Sequence, residues 1–146
     1  MIEYMKLALD EAKKALKHND VPVGAIIVKN GKIISKAHNK KEKFNIATKH
    51  AEIIAIEKAC KKLKTWHLDG CELYVTLEPC LMCCGAIIQS RISKLYYGTE
   101  SDKFGYVKSL DTLLNNKNNH IPEISGGLLR EESGKILTDF FKVRRD

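Results

Sequence analysis

An α/β fold, in which a mixed sheet carries helices on both faces, is what this sequence predicts. Three features point to it. An Asn30-Gly31 pair separates two apolar, β-branched runs, which is the pattern of a tight hairpin. After that hairpin, short apolar runs alternate with segments of ten or more residues at helical spacing. The chain has 146 residues, 44% of them hydrophobic, which suits one packed domain over residues 1–146.

The elements follow in order. Met1 to Lys17 reads as an amphipathic helix, with Ile2, Met5, Leu9, Ala12 and Leu16 recurring at steps of three and four. Asn19, Asp20 and Pro22 end it. Gly24 to Lys29 and Lys32 to Ala37 form the hairpin, and the polar stretch His38 to Lys49 is expected to be a loop. Helical spacing returns from His50 to Leu63 through Ile53, Ile54, Ile56 and Ala59. Leu73 to Thr76 is a short strand, and Pro79 opens a helix to about Ser90, since proline suits a first turn. Lys94 to Tyr97 is a further strand. Val107 to Leu114 has a helical look, followed by a polar break at Asn115 to Asn119. Glu123 to Ser125 fits either a strand or an extended link. Leu128 to Val143 is a last amphipathic helix with Leu129, Ile136, Leu137, Phe140 and Phe141 on its apolar side. Ligands of such sheets gather beyond the carboxyl ends of strands.

Composition narrows the class of function. No apolar run approaches the roughly 18 residues of a membrane helix. The N-terminus, Met1-Ile2-Glu3-Tyr4, lacks the layout of a secretion signal, so a soluble cytoplasmic protein without a membrane partner is expected. Five cysteines, Cys60, Cys71, Cys80, Cys83 and Cys84, argue against a disulfide framework. A net charge of +7 favours polyanions through phosphate neutralisation, although lysine used for solubility reads the same way.

The chemistry concentrates between His50-Ala51-Glu52 and Pro79-Cys80-Leu81-Met82-Cys83. A histidine and two cysteines make an incomplete tetrahedral zinc shell. The open position takes a water, whose pKa zinc lowers towards about 7. Cys80 and Cys83 open a helix, where unpaired N–H groups favour thiolate. Glu52, not needed as a ligand, becomes the proton carrier. A C-x-x-C pair alone also fits a redox dithiol or half of a structural zinc site, with Cys84, Cys71, Cys60 or His67 completing it. The added His50-Ala51-Glu52 and Pro79 favour the catalytic reading, since H-x-E with P-C-x-x-C is the signature of zinc nucleobase deaminases. Cys84, Cys60 and Cys71 read as small core residues, His18, His38, His67 and His120 as surface or loop residues, and Trp66 as a packing residue.

On these residues the chain resembles the cytidine deaminase superfamily, and within it the bacterial tRNA adenosine deaminases. Val21-Pro-Val-Gly-Ala25, His50-Ala-Glu-Ile53, Leu73-Tyr-Val-Thr-Leu-Glu-Pro-Cys80, Gly85-Ala-Ile-Ile-Gln-Ser-Arg-Ile92, Gly126-Gly127-Leu128 and Asp139-Phe-Phe-Lys142 carry the likeness. It implies a three-layer α/β/α fold around a central mixed five-stranded sheet. It implies hydrolytic deamination of the wobble adenosine of a tRNA anticodon to inosine through a zinc-activated hydroxide, with one Zn2+ per subunit of a homodimer. Glu52 would be catalytic, His50, Cys80 and Cys83 the ligands, and Asn39 and Ala51 contacts to the base. Lys103, Lys142, Arg144 and Arg145 would meet the RNA of the anticodon stem-loop. Without the resemblance, Asn39 reads as a loop residue ending a strand and the basic terminus as a solvated helix end. Two stretches depart from the family pattern. Ile46-Ala-Thr-Lys49 stands where Asp-Pro-Thr-Ala is usual, and Ser101 stands at the Asp of Asp-x-Lys-x-Gly, while Lys103 and Gly105 match. The rival functions are a free-base deaminase acting on guanine or cytosine, and a noncatalytic zinc-stabilised RNA-binding module.

Overall fold

The computed structural model describes residues 1–145, and of Arg145 only the backbone. Its centre is a five-stranded mixed sheet in the order β2-β1-β3-β4-β5. The strands are β1 (Gly24–Lys29), β2 (Lys32–His38), β3 (Cys71–Leu77), β4 (Lys94–Thr99) and β5 (Glu123–Gly126). β1 runs antiparallel to both β2 and β3, whereas β3, β4 and β5 are parallel. The helices are α1 (Ile2–Ala15), α2 (Lys41–Phe44), α3 (Ala51–Leu63), α4 (Leu81–Ser90) and α5 (Arg130–Arg145), with a 3-10 turn at Leu16–His18. The predicted three layers are present.

Alternation along β1 and β3 assigns the two faces. Ala25, Ile27, Leu73 and Val75 pack with Ala51, Ile54 and Ala55 of α3 and with Cys84 and Ile87 of α4. Ile26, Val28 and Tyr74 point the other way, onto Met5 and Ala8 of α1. Tyr74 and Tyr96 stack there at 4.5 Å. α1 comes so close to β1 that a Cβ at Gly24 would overlap the Ala8 carbonyl, so only glycine fits. Met5, Leu9 and Ala12 are buried as the helical spacing predicts, but Ile2 and Leu16 are exposed because the helix ends extend past the sheet.

One consequence of strand direction matters for function. Since β1 is antiparallel to both neighbours, β2 and β3 end at the same edge of the sheet. The chain leaves β2 at His38-Asn39 and β3 at Leu77-Glu78-Pro79, so both exits feed one region. There the loops preceding α3 and α4 meet.

Several expectations need correction. The stretch His38 to Lys49 is not wholly irregular, since it contains the single turn of α2. Buried Asp20 organises it by accepting the Glu42 and Lys43 amides at 2.7 and 3.2 Å. Val107 to Leu114 forms turns rather than a helix. Its first amides point at the Glu78 carboxylate instead of at carbonyls one turn back. Pro79 lies just outside α4, whose N-cap is Cys80 in an extended conformation. Leu129 adopts a left-handed backbone (φ 54°) and so α5 begins only at Arg130. Trp66 is 57% exposed, stacked on His67 at 3.6 Å, and is no core residue. Glu123–Gly126 is a strand, which resolves the ambiguity at that point.

His38 is also not a surface residue. It is buried, with Nδ1 3.1 Å from Glu11 Oε1, while Nε2 has no partner among the described residues. Protonation would add a donor at that buried, unpartnered nitrogen, which is unfavourable. Burial therefore holds the His38 pKa below its ordinary 6.5 despite the Glu11 carboxylate, with Lys40 and His18 adding repulsion. Glu11 titrates lower than usual as well: burial raises it, but hydrogen bonds from Lys14 and His38 outweigh burial. Both depressed values act in the same direction. Stability from His38 is complete above about 6.5 and is lost as pH falls towards its folded value, and stability from Glu11 is lost below about 4.5. The thermal midpoint should drop from pH 7 to pH 5, and His38→Asn should flatten that part of the curve. Parallel curves for the two proteins, recorded by circular dichroism, would contradict this assignment.

Candidate metal centre and active site

The common exit edge brings together what the sequence separates by thirty residues. His50 is the N-cap of α3 and Cys80 the N-cap of α4, both extended and neither using its side chain as a cap. Their side chains are thus available to each other. Cys83 lies on the first turn of α4, three residues after Cys80, and so faces the same way. His50 Nδ1 is 3.6 Å from Cys80 Sγ and 3.7 Å from Cys83 Sγ. All three donor atoms lie within 4.8 Å of one another, the group of metal-ligating side chains that converges among the described residues.

The spacing fits a tetrahedral metal. Zinc bonds of about 2.3 Å to sulfur and 2.0–2.1 Å to nitrogen place the two donors roughly 3.6 Å apart. The protonation of the trio fits as well. The Cys80 pKa is pulled down to about 4, chiefly by the hydrogen bond from the Cys83 thiol and further by His50 and the Cys83 amide, against burial. Cys83 is pushed well above its ordinary value because it gives that bond and is buried. The Cys80 contact raises His50, burial opposing it. Two adjacent sulfurs thus hold one negative charge between them, and a cation is what allows both to be thiolates. None of the other candidate ligands joins the trio. Cys84 turns away, its thiol donating to the Pro79 carbonyl at 3.7 Å, and burial pushes its pKa up to about 12. Cys71 is buried, and Cys60 is packed against the core from a partly exposed position. Trp66 and His67 follow the far end of α3, and that end lies about 20 Å from His50 at 1.5 Å per residue.

Glu52 sits in the first turn of α3, 4% exposed and outside the ligand trio. Burial pushes its pKa up to about 7, its own backbone N–H opposing and the Cys80 charge adding to the rise. A buried carboxyl thus stands beside three side chains able to hold a metal. Asn39, just after β2, staples the site. Its Oδ1 accepts the Ala51 N–H at 2.8 Å and its Nδ2 donates to the Val21 carbonyl at 3.0 Å. These partners fix the amide orientation and anchor the start of α3 to the strand exit. Ala51 is fully buried under it.

Lys103 and Lys142 are exposed. Arg144 is only partly free, since its guanidinium donates to Asn19 Oδ1 at 2.9 Å and lies 3.8 Å over the Phe140 ring. The Arg145 side chain lies outside the described residues. Spacing rules missed one residue here, Glu78. It is 2% exposed, two residues before Cys80, and accepts five hydrogen bonds from residues 101–109. The only sequence signal for it is its place in Leu77-Glu78-Pro79-Cys80.

The sequence pattern of the MafB19-like deaminases matches residues 1–145. The chain belongs to this deaminase family, within the cytidine deaminase superfamily. It is 47% identical over 143 residues to the tRNA-specific adenosine deaminase of Bacillus subtilis (strain 168), covering 97% of this chain and 89% of that one. A solved structure from a study of A-to-I editing by tRNA:A34 deaminases superposes with a TM-score of 0.89 at 41% identity, over 94% of this chain and all of that one. The guanine deaminase of Nitrosomonas europaea is similar in structure with a TM-score of 0.84 at 26% identity, over 95% of this chain and 83% of that one. The geometry names the residues to test. Cys83→Ala should lose bound metal, while Cys84→Ala should keep it. Metal analysis of the purified variants distinguishes them, and the opposite pattern would show that the ligand set is misassigned.

Proposed function

We propose that this protein hydrolytically deaminates the wobble adenosine of a tRNA anticodon to inosine, as a zinc-dependent enzyme of one domain with one metal ion per subunit. The observation that carries this reading is a buried carboxylate, Glu52, beside a three-donor nitrogen–sulfur set, in a chain similar over nearly its whole length to a tRNA-specific adenosine deaminase. His50, Cys80 and Cys83 would hold zinc, which acts as a Lewis acid and makes a water molecule acidic.

Glu52 moves the protons. Its carboxylate takes one from the water that attacks C6 of adenine and delivers it to ring N1. A second proton passes through the same group to the exocyclic amine, which leaves as ammonia while the oxygen stays as the C6 carbonyl. Adenosine and water become inosine and ammonia. Burial keeps bulk water from Glu52, so the proton remains at the reacting centre. Asn39 spends one donor and one lone pair on the fold, and its amide has a second of each to offer a flipped base. Ala51 contributes backbone at the same position.

The substrate is RNA on two grounds. The net charge of +7 and the exposed Lys103 and Lys142, with Arg144, suit a phosphate backbone. An anticodon loop presents bases already splayed from a stack, which lowers the cost of entry into such a site. The enzyme works in the cytoplasm as a homodimer. No helix among the described residues is long and apolar enough to cross a membrane. The structural likeness to a guanine deaminase supplies the competing substrate, free guanine.

The test uses zinc-loaded protein, tRNA read for inosine by sequencing, and free guanine read by absorbance. Inosine at the wobble position of tRNA is expected, and guanine turnover with unmodified tRNA would overturn the substrate assignment. Glu52→Ala should retain its zinc and lose deamination by about 10²–10⁴-fold, the usual weight of a general acid–base. Activity near that of the unaltered protein would refute the proton-carrier role.

A further inference from the structure

The loop after β4 carries its own anchor. Glu78 Oε1 accepts the Ser101 amide at 3.0 Å and the Ser109 hydroxyl at 2.5 Å. Glu78 Oε2 accepts the amides of Val107, Lys108 and Ser109 at 3.1, 2.7 and 2.9 Å. Nine residues of chain are thus gathered onto one carboxylate. The Pro79 carbonyl accepts the Tyr106 amide at 3.0 Å, and the Glu78 amide donates to Thr99 at 2.9 Å. A Cβ at Gly105 would overlap the Glu78 carboxylate, so the loop closes over it only with glycine there.

The position of this anchor matters more than its strength. Glu78 is two residues from Cys80, so the loop is fastened to the same turn that delivers two of the three candidate ligands. What the loop displays is an aromatic ring among charges of both signs, since exposed Asp102 precedes Lys103 and Lys108 lies 3.8 Å from Glu100. Lys103 and Lys108 are exposed, and Phe104 is 68% exposed with no packing role. Leu81, the residue after Cys80, is itself 56% exposed. Exposed aromatic rings interleaved with lysines are what single-stranded nucleic acid needs, rings for stacking bases and cations for phosphates.

We propose that Glu78 is a positioning residue, which fixes the 101–109 loop at the mouth of the metal centre so that Phe104, Lys103 and Lys108 grip the RNA flanking the target base. This rests on the RNA deaminase reading above. Glu78 contacts neither the base nor the reacting atoms, and it acts through the loop it holds. A looser loop binds RNA less well but leaves the chemistry at the centre intact. The signature is therefore a change in KM without a change in kcat.

The test compares zinc-loaded wild type, Glu78→Gln, Ser109→Ala and Phe104→Ala on an anticodon stem-loop RNA. Gln keeps the shape but turns an amide N–H₂ towards backbone N–H groups that need an acceptor. Glu78→Gln should raise KM about tenfold, keep kcat within a factor of about three and keep its zinc. Hydrogen exchange at the Ser101, Val107, Lys108 and Ser109 amides should quicken, while α3 and α4 stay protected. Ser109→Ala, which removes one donor, should move KM the same way by less, and Phe104→Ala should raise KM with the loop amides still protected. A fall in kcat at unchanged KM, loss of zinc, or unaltered exchange at the four amides would overturn the proposal. Should Glu78→Gln fail to fold, the Ser109→Ala and Phe104→Ala pair decides on its own, and unchanged KM in both overturns it. Wild type that leaves the stem-loop untouched would instead defeat the deaminase reading, and the exchange data would still judge the tether.

Discussion

Two sulfurs and an imidazole held within 4.8 Å of one another are the constraint on which the rest of the molecule depends. Such groups repel or share protons unless a cation sits among them, and their side chains must be aimed from two different helices. The sheet solves the aiming. β1 lies antiparallel between β2 and β3, so both of these strands discharge their chain at one edge, where α3 and α4 then begin. Starting a helix with His50 or Cys80 as its N-cap gives these two side chains a backbone-defined direction, and Cys83 follows on the first turn of α4. Unpaired first-turn amides face the thiolates, and their partial positive charge stabilises sulfur anions. Asn39, at the β2 exit, ties the chain before β1 to the start of α3 through Val21 and Ala51.

Around that edge, buried carboxylates act as organisers of loops. Asp20 collects the amides of α2, Glu78 those of residues 101–109, and Glu11 the imidazole of His38. Each is almost fully buried and each has its lone pairs engaged, so the desolvation of the charge is offset by charge-assisted hydrogen bonds. Glu52 is the contrasting case. It is equally buried but faces the ligand group rather than a ring of amides, and burial keeps its proton exchangeable near neutral pH instead of stripping it. The number of N–H groups around a buried carboxyl thus separates the fasteners from Glu52, the residue proposed to carry protons.

Much of this was legible in the sequence, and the reason is periodicity. The Asn30-Gly31 hairpin and the helical spacing from Ile53 to Ala59 are local patterns that map directly onto the structure, and the motif residues His50, Cys80 and Cys83 do converge, His50 being brought in by the fold. Two of the errors share a cause, which is long-range polar contact. Val107 to Leu114 has helical spacing, yet Glu78, some thirty residues earlier, captures its amides. His38 has no ligand-like neighbour in sequence, and its partner Glu11 lies 27 residues away on α1. Trp66 reads as core on hydrophobicity alone, but it follows the left-handed cap at Lys64 and stays outside. Family resemblance supplied what spacing did not, the attention to Asn39 and to the basic terminus, where Arg144 is in fact partly occupied by Asn19 and Phe140.

X-ray absorption at the zinc edge of the purified protein tests the central claim most directly, because it counts the atoms around the metal. Two sulfurs at about 2.3 Å and one imidazole nitrogen and one oxygen at about 2.0–2.1 Å are expected. Three sulfurs, or a shell closed by four protein atoms with no oxygen, would mean a structural metal and would contradict the enzymatic reading.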